Sequence, residues 1–348
     1  MQDVKIGMFA DLHIRPADHK SFKDAWLAAL VNLNRQGINF VTISGDVFDR
    51  YNIGTSSASV GTLVDSFCEP LSRLNMNALI IDGNHDMPNN NDMSALRIFS
   101  GMKNIIVVHN TKFALKRKGN VAIMCLPWIN NITQQMREDV IYDINECVNK
   151  LSSTHRMILL GHVEIEGTAI NQNYKLFGTR YCWPAHIFED LKSRGVMMAL
   201  GHIHKADSNY LGAFRHLNFG DTDNVPGYYV YSSATHTKQF IENEMSPKYL
   251  TIELGKSSIV STSLLEKLNA KNFLKVRVHK DKLEEIKPLL KGNNIILEEI
   301  VEEQREKRVS VDIKGLDTMQ LFKLYMESKG KDPKVYEETL KALVTKCG

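Results

Sequence analysis

The sequence predicts a layered α/β domain with a mainly buried central sheet, followed by a small α+β unit and C-terminal helices. Two observations carry this. Short runs rich in Ile, Val, Leu and Met alternate with amphipathic, helix-like stretches up to about residue 255. Beyond that point the alternation stops at a small, polar stretch and resumes as a compact strand–helix–strand–strand pattern.

The predicted strands of the first unit are 4–9, 40–44, 78–81, 121–126, 157–160 and 196–200, each short and rich in Ile, Val, Leu and Met, as expected of buried strands. Helical stretches lie near 20–36, 57–75 and 133–151, the last marked by Ile141, Ile144 and Val148 at helical spacing. From residue 228 strand follows strand, 228–232 and then 249–254. The first domain is therefore placed at 1–255 and a linker at 256–262. A β-α-β-β unit fills 263–315, with strand 274–278, helix 282–290 and strands 295–301 and 308–313. Helices 317–328 and 333–346 occupy 316–348, and no internal repeat or low-complexity tract interrupts the chain.

Composition bounds the function. At 348 residues and 43% apolar content the chain can bury a large core, and its formal charge of +3 means that any nucleic-acid surface must be local. Five scattered cysteines, none in a CxxC pair, argue against a disulfide framework or a structural zinc site and for a reducing cytoplasm. The chain enters its first strand without a basic leader or cleavage site, and no uncharged run approaches the roughly 20 residues that span a bilayer. A soluble, cytoplasmic protein with no membrane association is expected.

Five polar clusters stand mostly at the ends of the apolar runs: Asp11-Leu12-His13, Gly45-Asp46 with Asp49, Gly83-Asn84-His85-Asp86, Gly161-His162 and Gly201-His202-Ile203-His204. Ligands in open α/β sheets bind beyond the carboxyl ends of strands, so distant segments point at one crevice. Glycine precedes the polar residue because the chain turns sharply there and a side chain would crowd the site. Taken singly, Asp11-Leu12-His13 reads as capping or turn residues, Asp49 as a turn cap, and Gly161-His162 as almost nothing. Gly83-Asn84-His85-Asp86 is hard to motivate structurally, and all five clusters in order leave little room for a structural explanation. Carboxylate, carboxamide and imidazole without thiolate suit Mn2+, Fe2+ or Zn2+. Two such ions about 3.5–4 Å apart clamp a phosphate ester and lower the pKa of a water between them. A carboxylate has the two oxygens needed to bridge them, and Asp46 is assigned that place.

In this order the clusters resemble the calcineurin-like metallophosphoesterase superfamily, whose signature is DxH, GDxxD, GNHD, GH and GHxH, over residues 4–254. His85-Asp86-Met87-Pro88, the Val163-Glu164-Ile165-Glu166-Gly167 stretch and the C-terminal unit further resemble the SbcD-type nuclease subunit of double-strand-break repair complexes, including its phage-encoded relatives. The resemblance implies a layered metallophosphoesterase β-sandwich flanked by helices, with 263–315 as a small α+β capping domain and 316–348 as the segment that binds an SbcC-like coiled-coil ATPase. It implies two divalent ions, Mn2+ foremost and Mg2+ among the others, held by Asp11, His13, Asp46 and His204 and by Asp46, Asn84, His162 and His202. His85 stabilises the phosphorane charge or protonates the 3′ oxygen, with Asp86 orienting its ring. Asp49, a candidate substrate contact, stands where some members carry histidine to position the nucleotide, and the alternative place for its carboxylate is behind His13 or His204. A homodimer formed through the helices after the second and third clusters, and a host cytoplasm for a phage-encoded chain, follow from the resemblance alone.

Outside the clusters, Arg15, Arg50 and Tyr51 are candidate DNA contacts that compete with ordinary surface roles, and the basic run Lys116-Arg117-Lys118 is either a phosphate contact or a solvated hairpin tip. Gly255-Lys256-Ser257-Ser258 ends like an ATP-binding loop, but Leu250 stands where the earlier glycine is required. The leading expectation is a Mn2+-dependent DNA exonuclease and endonuclease of recombination, repair and replication. The alternatives are a metallophosphoesterase acting on cyclic nucleotides or phosphoproteins, and a scaffold that has kept the fold.

Overall fold

The apolar runs that end in polar clusters fall into two sheets, as the layered β-sandwich implied by the resemblance requires. The computed structural model describes residues 3–53, 56–88, 93–109, 112–171, 174–176, 181–222, 224–254, 273–280, 283–288 and 295–300, with isolated positions from 320 to 332. Its elements in order are β1 (Lys5–Phe9), α1 (His19–Arg35), β2 (Phe40–Ile43), α2 (Ser57–Arg73), β3 (Asn77–Ile81), β4 (Ile105–Val108), β5 (Ala114–Lys118), β6 (Val121–Leu126), α3 (Gln134–Leu151) and β7 (Arg156–His162). Then follow β8 (Glu164–Ile165), β9 (Ala169–Asn171), β10 (Tyr174–Lys175), β11 (Cys182–Trp183), α4 (Ala185–Ser193), β12 (Val196–Gly201), β13 (Gly227–Ser232), β14 (Thr237–Glu242), β15 (Tyr249–Leu254), β16 (Phe273–His279) and β17 (Ile295–Ile300).

The first sheet has the order β14-β13-β1-β2-β3-β4 and the second β12-β7-β6-β5. Strands β1 to β4 are parallel, as are β6, β7 and β12. Period-two alternation sorts their side chains into three apolar layers. Ile6, Met8, Leu79 and Ile81 meet Val121, Ile123, Cys125, Ile158 and Leu160 between the sheets. Phe9, Val41, Ile43, Ala78 and Ile80 turn outward onto Phe22, Trp26, Leu30 and Leu33 of α1 and Leu63, Phe67 and Leu71 of α2. Ala122, Met124, Leu159, Met198 and Leu200 turn the other way onto Val140, Ile144 and Val148 of α3 and Phe188 and Leu191 of α4. The result is a helix–sheet–sheet–helix sandwich. Because both faces of every central strand are covered, the strands read as unbroken apolar runs.

The elements that the hydrophobic pattern missed lie at edges. β4 and β14 flank the first sheet, and β14 (Thr-Lys-Gln-Phe-Ile-Glu) is partly exposed along its length, so no buried run marks it. The basic run Lys116-Arg117-Lys118 ends β5 at the tip of its hairpin with β6, where Lys118 pairs with Val121. It therefore leads away from the carboxyl end of β6, where the polar clusters gather.

At the C-terminal side, β15 pairs in parallel with β16 from Tyr249–Phe273 to Leu254–Val278, and β16 pairs in parallel with β17. The strand assigned to the end of the first domain thus belongs to the second unit's sheet, and a boundary at 255 cuts directly behind it. Leu274, Val276 and Val278 form that unit's core, and Phe219 anchors it edge-on to Tyr249 with ring centroids 5.1 Å apart. The expected linker 256–262, strand 308–313 and helix 333–346 lie outside the described residues, and of helix 317–328 only residues 320 and 323–326 are described, as helical. Among the described residues no helix is long and apolar enough to cross a membrane, and Cys68, Cys125, Cys147 and Cys182 are free thiols.

Leu160 lies in the layer between the sheets and is fully buried. Leu160→Ala should lower the unfolding free energy by about 2–5 kcal/mol, seen in urea as a lower midpoint with an unchanged slope.

Candidate metal centre

The loops leaving β1 and β2 run side by side past the end of the first sheet. Gly45 and Asp46 carbonyls accept from the Asp11 and His13 amides at 3.3 and 3.0 Å, and the Val47 carbonyl accepts from Ile14 at 2.9 Å. This pairing holds Asp11, His13 and Asp46 at φ of 51°, 44° and 50°, and across the site His202 sits at 93°. Left-handed backbone in non-glycine residues costs about 1–3 kcal/mol each and persists only where neighbours enforce it. Here the His202 amide donates to both Asp11 carboxylate oxygens at 3.0 and 3.1 Å. The buried Arg215 guanidinium donates to the Leu12 and His13 carbonyls at 3.3 and 2.8 Å and pairs with Asp18 at 3.0 Å. The crowding expected at the glycines is present: a Cβ on Gly83 would overlap the Asp46 carboxylate, and one on Gly201 would overlap the Ser44 carbonyl.

Asp11, His13, Asp46, Asn84, His85, His162, His202 and His204 converge at the carboxyl ends of β1, β2, β3, β7 and β12. Ligating atoms of Asp11, His13 and His204 lie within 4.8 Å of one another, as do those of Asp11, Asp46 and His162 and of His13, Asp46 and His85. Asn84 Oδ1 is 2.8 Å from His162 Nε2 and 2.9 Å from His202 Nδ1, and Asp46 Oδ1 is 3.6 Å from His162 Nε2. Three of the imidazoles are held by the opposite nitrogen: His162 Nδ1 on the Ser44 carbonyl at 2.7 Å, His202 Nε2 on Glu164 at 3.2 Å and His204 Nδ1 on Asp221 at 3.0 Å. Outer partners of this kind fix ring orientation and leave one nitrogen for the centre.

The His13 ring is buried with neither nitrogen hydrogen-bonded, an arrangement that is costly unless something else fills the role. Carboxylates, a carboxamide oxygen and imidazoles around such a ring fit divalent ions. The electrostatics agree. Burial holds the His13 imidazole down at about 3, neutral and able to ligate. Burial works to raise Asp46, but the neighbouring His162, His13 and His85 and the His85 amide bring its carboxyl below the ordinary value. Burial also opposes protonation of His204, yet the bond to Asp221 and the charges of Asp11, Asp221 and Asp46 lift it to about 9.

Asp86 does not orient the His85 ring. Its carboxylate accepts from Gly83 and Val47 at 3.0 and 3.3 Å and from Phe48 at 3.1 Å, clasping the second-cluster loop to the third. Burial, and then Asp46, push its carboxyl well above the usual range. The His85 ring is instead set by the Asp49 carbonyl, 2.7 Å from Nδ1, while Nε2 lies 4.0 Å from Asp46 Oδ2. The Asp49 carboxylate stands 3.7 Å from His13 Nδ1, beside His13 rather than His204. Arg15 is paired with Asp18 at 2.6 Å and donates to the Leu217 carbonyl at 3.1 Å. Arg50 and Tyr51 are 83% and 54% exposed. Beside them a cleft of about 540 Å³ is lined by Ile14, Arg15, Asp49, Arg50, Asn52 and Leu63.

The calcineurin-like phosphoesterase family matches residues 4–206, more than half of the chain. This chain belongs to that family. The phosphoesterase is similar in fold to a dimetal phosphatase from Danio rerio, at 11% identity and a TM-score of 0.43 over 65% of this chain and 91% of that one. GAP50, the anchor in the inner membrane complex of Plasmodium, gives 12% identity and 0.44 over 70% and 86%. The phosphopantetheinyl hydrolase of Mycobacterium tuberculosis gives 12% identity and 0.31 over 61% and 90%. No curated protein matches the sequence. Family membership makes the chain a metal-dependent hydrolase of phosphoesters, and the clustered His and Asp groups are where the metal can be held.

Five residues at the centre escaped the sequence: Ser44, Glu164, Asp221, Arg215 and Trp128, whose ring stacks on His202 with centroids 5.3 Å apart. Two left a signal. Glu164 follows His162 by two positions, and Arg215 is a lone cation in the apolar stretch Leu211-Gly212-Ala213-Phe214-Arg215.

An ion taking His204 as a ligand has to displace its proton below pH 9. Mn2+ affinity should therefore rise by about tenfold per pH unit between pH 7 and 9. Calorimetry in two buffers of different ionisation enthalpy should record about one proton released per ion at pH 7.

Proposed function

We propose that this phosphoesterase hydrolyses DNA phosphodiesters as a Mn2+-dependent exonuclease and endonuclease, the nuclease subunit of an SbcCD-like recombination and repair complex. The observation that carries the DNA reading is the open cleft that begins at Ile14 and Asp49, directly beside His13 and His85, and continues past Arg15 and Arg50. A polymeric substrate needs such a path beyond the scissile bond, with cations beside it for the next phosphates. The likeness of Gly83-Asn84-His85-Asp86-Met87-Pro88 and of the C-terminal α+β unit to SbcD-type nucleases supports the same reading.

Asp11, His13, Asp46 and His204 would hold one ion, and Asp46, Asn84, His162 and His202 the second. When bound, the ions supply charge neutralisation of the phosphate and an acidified water. The chain's own contribution is positional. His85 is 44% exposed. Because a carbonyl only accepts, the Asp49 contact places a hydrogen on His85 Nδ1. Protonated on both nitrogens, the ring offers Nε2–H to the departing 3′ oxygen. Asp86 serves catalysis only indirectly, by fixing the loops that carry Asp46 and His85.

The reading includes two partners. Residues 316–348, rich in Leu, Met, Phe and Tyr, bind a coiled-coil ATPase of the SbcC type, since this chain lacks an ATP loop of its own. A second copy docks on the segment after the third cluster, where Met93, Ile98 and Ile106 are exposed. The cytoplasm, of the host if the chain is phage-encoded, is the compartment that suits its free thiols.

Linear duplex DNA should be cut in the presence of Mn2+, and Mg2+ serves as the comparison. His85→Gln should slow cleavage by about 10²–10⁴-fold with Mn2+ binding retained. Turnover of p-nitrophenyl phosphate, cyclic nucleotides or phosphoproteins without DNA cleavage would replace the nuclease by a small-substrate phosphoesterase. Deleting residues 316–348 should abolish ATPase association and spare Mn2+-dependent cleavage, and association that survives the deletion would refute that assignment.

A further inference from the structure

Two carboxylates stand behind the metal centre, one for each histidine of the Gly201-His202-Ile203-His204 cluster. His202, at a φ of 93°, turns the chain sharply out of β12, and the two rings reach different acids. His202 turns Nδ1 to Asn84 and Nε2 to Glu164 at 3.2 Å, and the indole of Trp128 covers its face at an interplanar angle of 26°. His204 turns Nδ1 to Asp221 at 3.0 Å, leaving its other nitrogen to the group formed with Asp11 and His13. The two acids come from different parts of the fold. Glu164 lies in β8, paired with β11, and its carboxylate also accepts from Cys182. Asp221 closes the single helical turn Phe219–Asp221 and is itself fixed by the Leu217 and Asn218 amides at 2.9 and 3.3 Å.

From this arrangement we propose that Glu164 and Asp221 are ion-specific positioning residues, Asp221 setting the affinity of the ion at Asp11, His13 and His204 and Glu164 that of the ion at Asn84, His162 and His202. The proposal rests on the two-ion reading above. Its physical basis is tautomer control. A carboxylate that accepts from one ring nitrogen keeps the proton there and leaves the opposite nitrogen as a lone-pair donor. In Asp221→Asn the carboxamide oxygen remains on the Leu217 and Asn218 amides, so its NH2 group faces His204 Nδ1. That donor moves the ring proton to the nitrogen that would bind the ion. Glu164→Ala leaves His202 held by Trp128 stacking and Asn84 alone.

Calorimetric titration of the full-length protein with Mn2+ tests this, with the anomalous signal of Mn2+ in crystals reporting the occupancy of each position. Wild type should bind two ions. Asp221→Asn should weaken only the ion beside His13 and His204, by about 10–100-fold, and Glu164→Ala only the ion beside His162 and His202. Glu164→Gln, which keeps the side-chain volume, replaces the alanine variant if that one does not fold. Equal weakening of both ions in either variant, or no weakening, would overturn the proposal while leaving the two-ion reading intact. Wild type binding fewer than two ions would instead overturn the two-ion reading and the proposal with it.

Discussion

Ser44 is the point at which the two sheets are locked into one site. Its amide donates to the Phe9 carbonyl at 2.9 Å, extending the first sheet, and its hydroxyl donates to the Ala199 carbonyl at 2.8 Å, crossing to the second. Its carbonyl accepts from His162 Nδ1 at 2.7 Å, and Gly201 leaves no Cβ to displace it. One buried residue thus joins β1 and β2 to β7 and β12 just before all four strands release their polar clusters. Apolar packing between the sheets supplies the adhesion but is non-directional. Directional bonds at Ser44 decide how the two sets of strand ends face each other, and therefore whether ligands from both sheets can share an ion.

The same place concentrates features that a globular fold ordinarily avoids. Asp11, Asp46 and Asp86 are buried carboxylates, four non-glycine residues hold left-handed backbone, and His13 has no hydrogen bond at either nitrogen. Each is unfavourable alone, and each is met by its neighbours: the His202 amide on Asp11, the His85 amide on Asp46, three amides on Asp86, and Arg215 on the carbonyls beside His13. A divalent ion at the centre would offset the burial of Asp11 and Asp46 and give the His13 ring a partner. His85 differs from the other histidines of the centre in exposure. It is the exposed imidazole of the group, 44% exposed, with Nδ1 set by the Asp49 carbonyl.

Arg15 shows how placement governs what a side chain can do. Its guanidinium is shared with Asp18, which also takes Arg215, so a network linking Arg15, Asp18 and Arg215 braces the loop behind Asp11 and His13. The Arg15 guanidinium is thus fixed in direction, whereas Arg50, at the cleft, is 83% exposed and lies 3.9 Å from the Asp49 carboxylate. The C-terminal sheet reaches the same neighbourhood from the other side: Phe219, in the turn that carries Asp221, packs on Tyr249 of β15. The turn that sets His204 is therefore shared between the centre and the C-terminal unit.

The sequence by itself determined the chemistry and the chain positions of the site. Apolar runs buried on both faces are recognisable without a structure, and Asp, Asn and His placed directly after glycine at their ends name the ligand types. Strands covered on one face only, such as β14, carry too few apolar residues to stand out, and the β15–β16 pairing is long-range, so neither the edges nor the boundary at 255 could be read locally. The tertiary structure alone decided which strands fall in which sheet, that Asp86 clasps backbone instead of orienting His85, that Arg15 is held by Asp18, and that Glu164 and Asp221 stand behind the histidines. All of these depend on contacts between residues far apart in sequence or on side-chain direction, and a hydrogen bond between two loops leaves no periodicity in either of them.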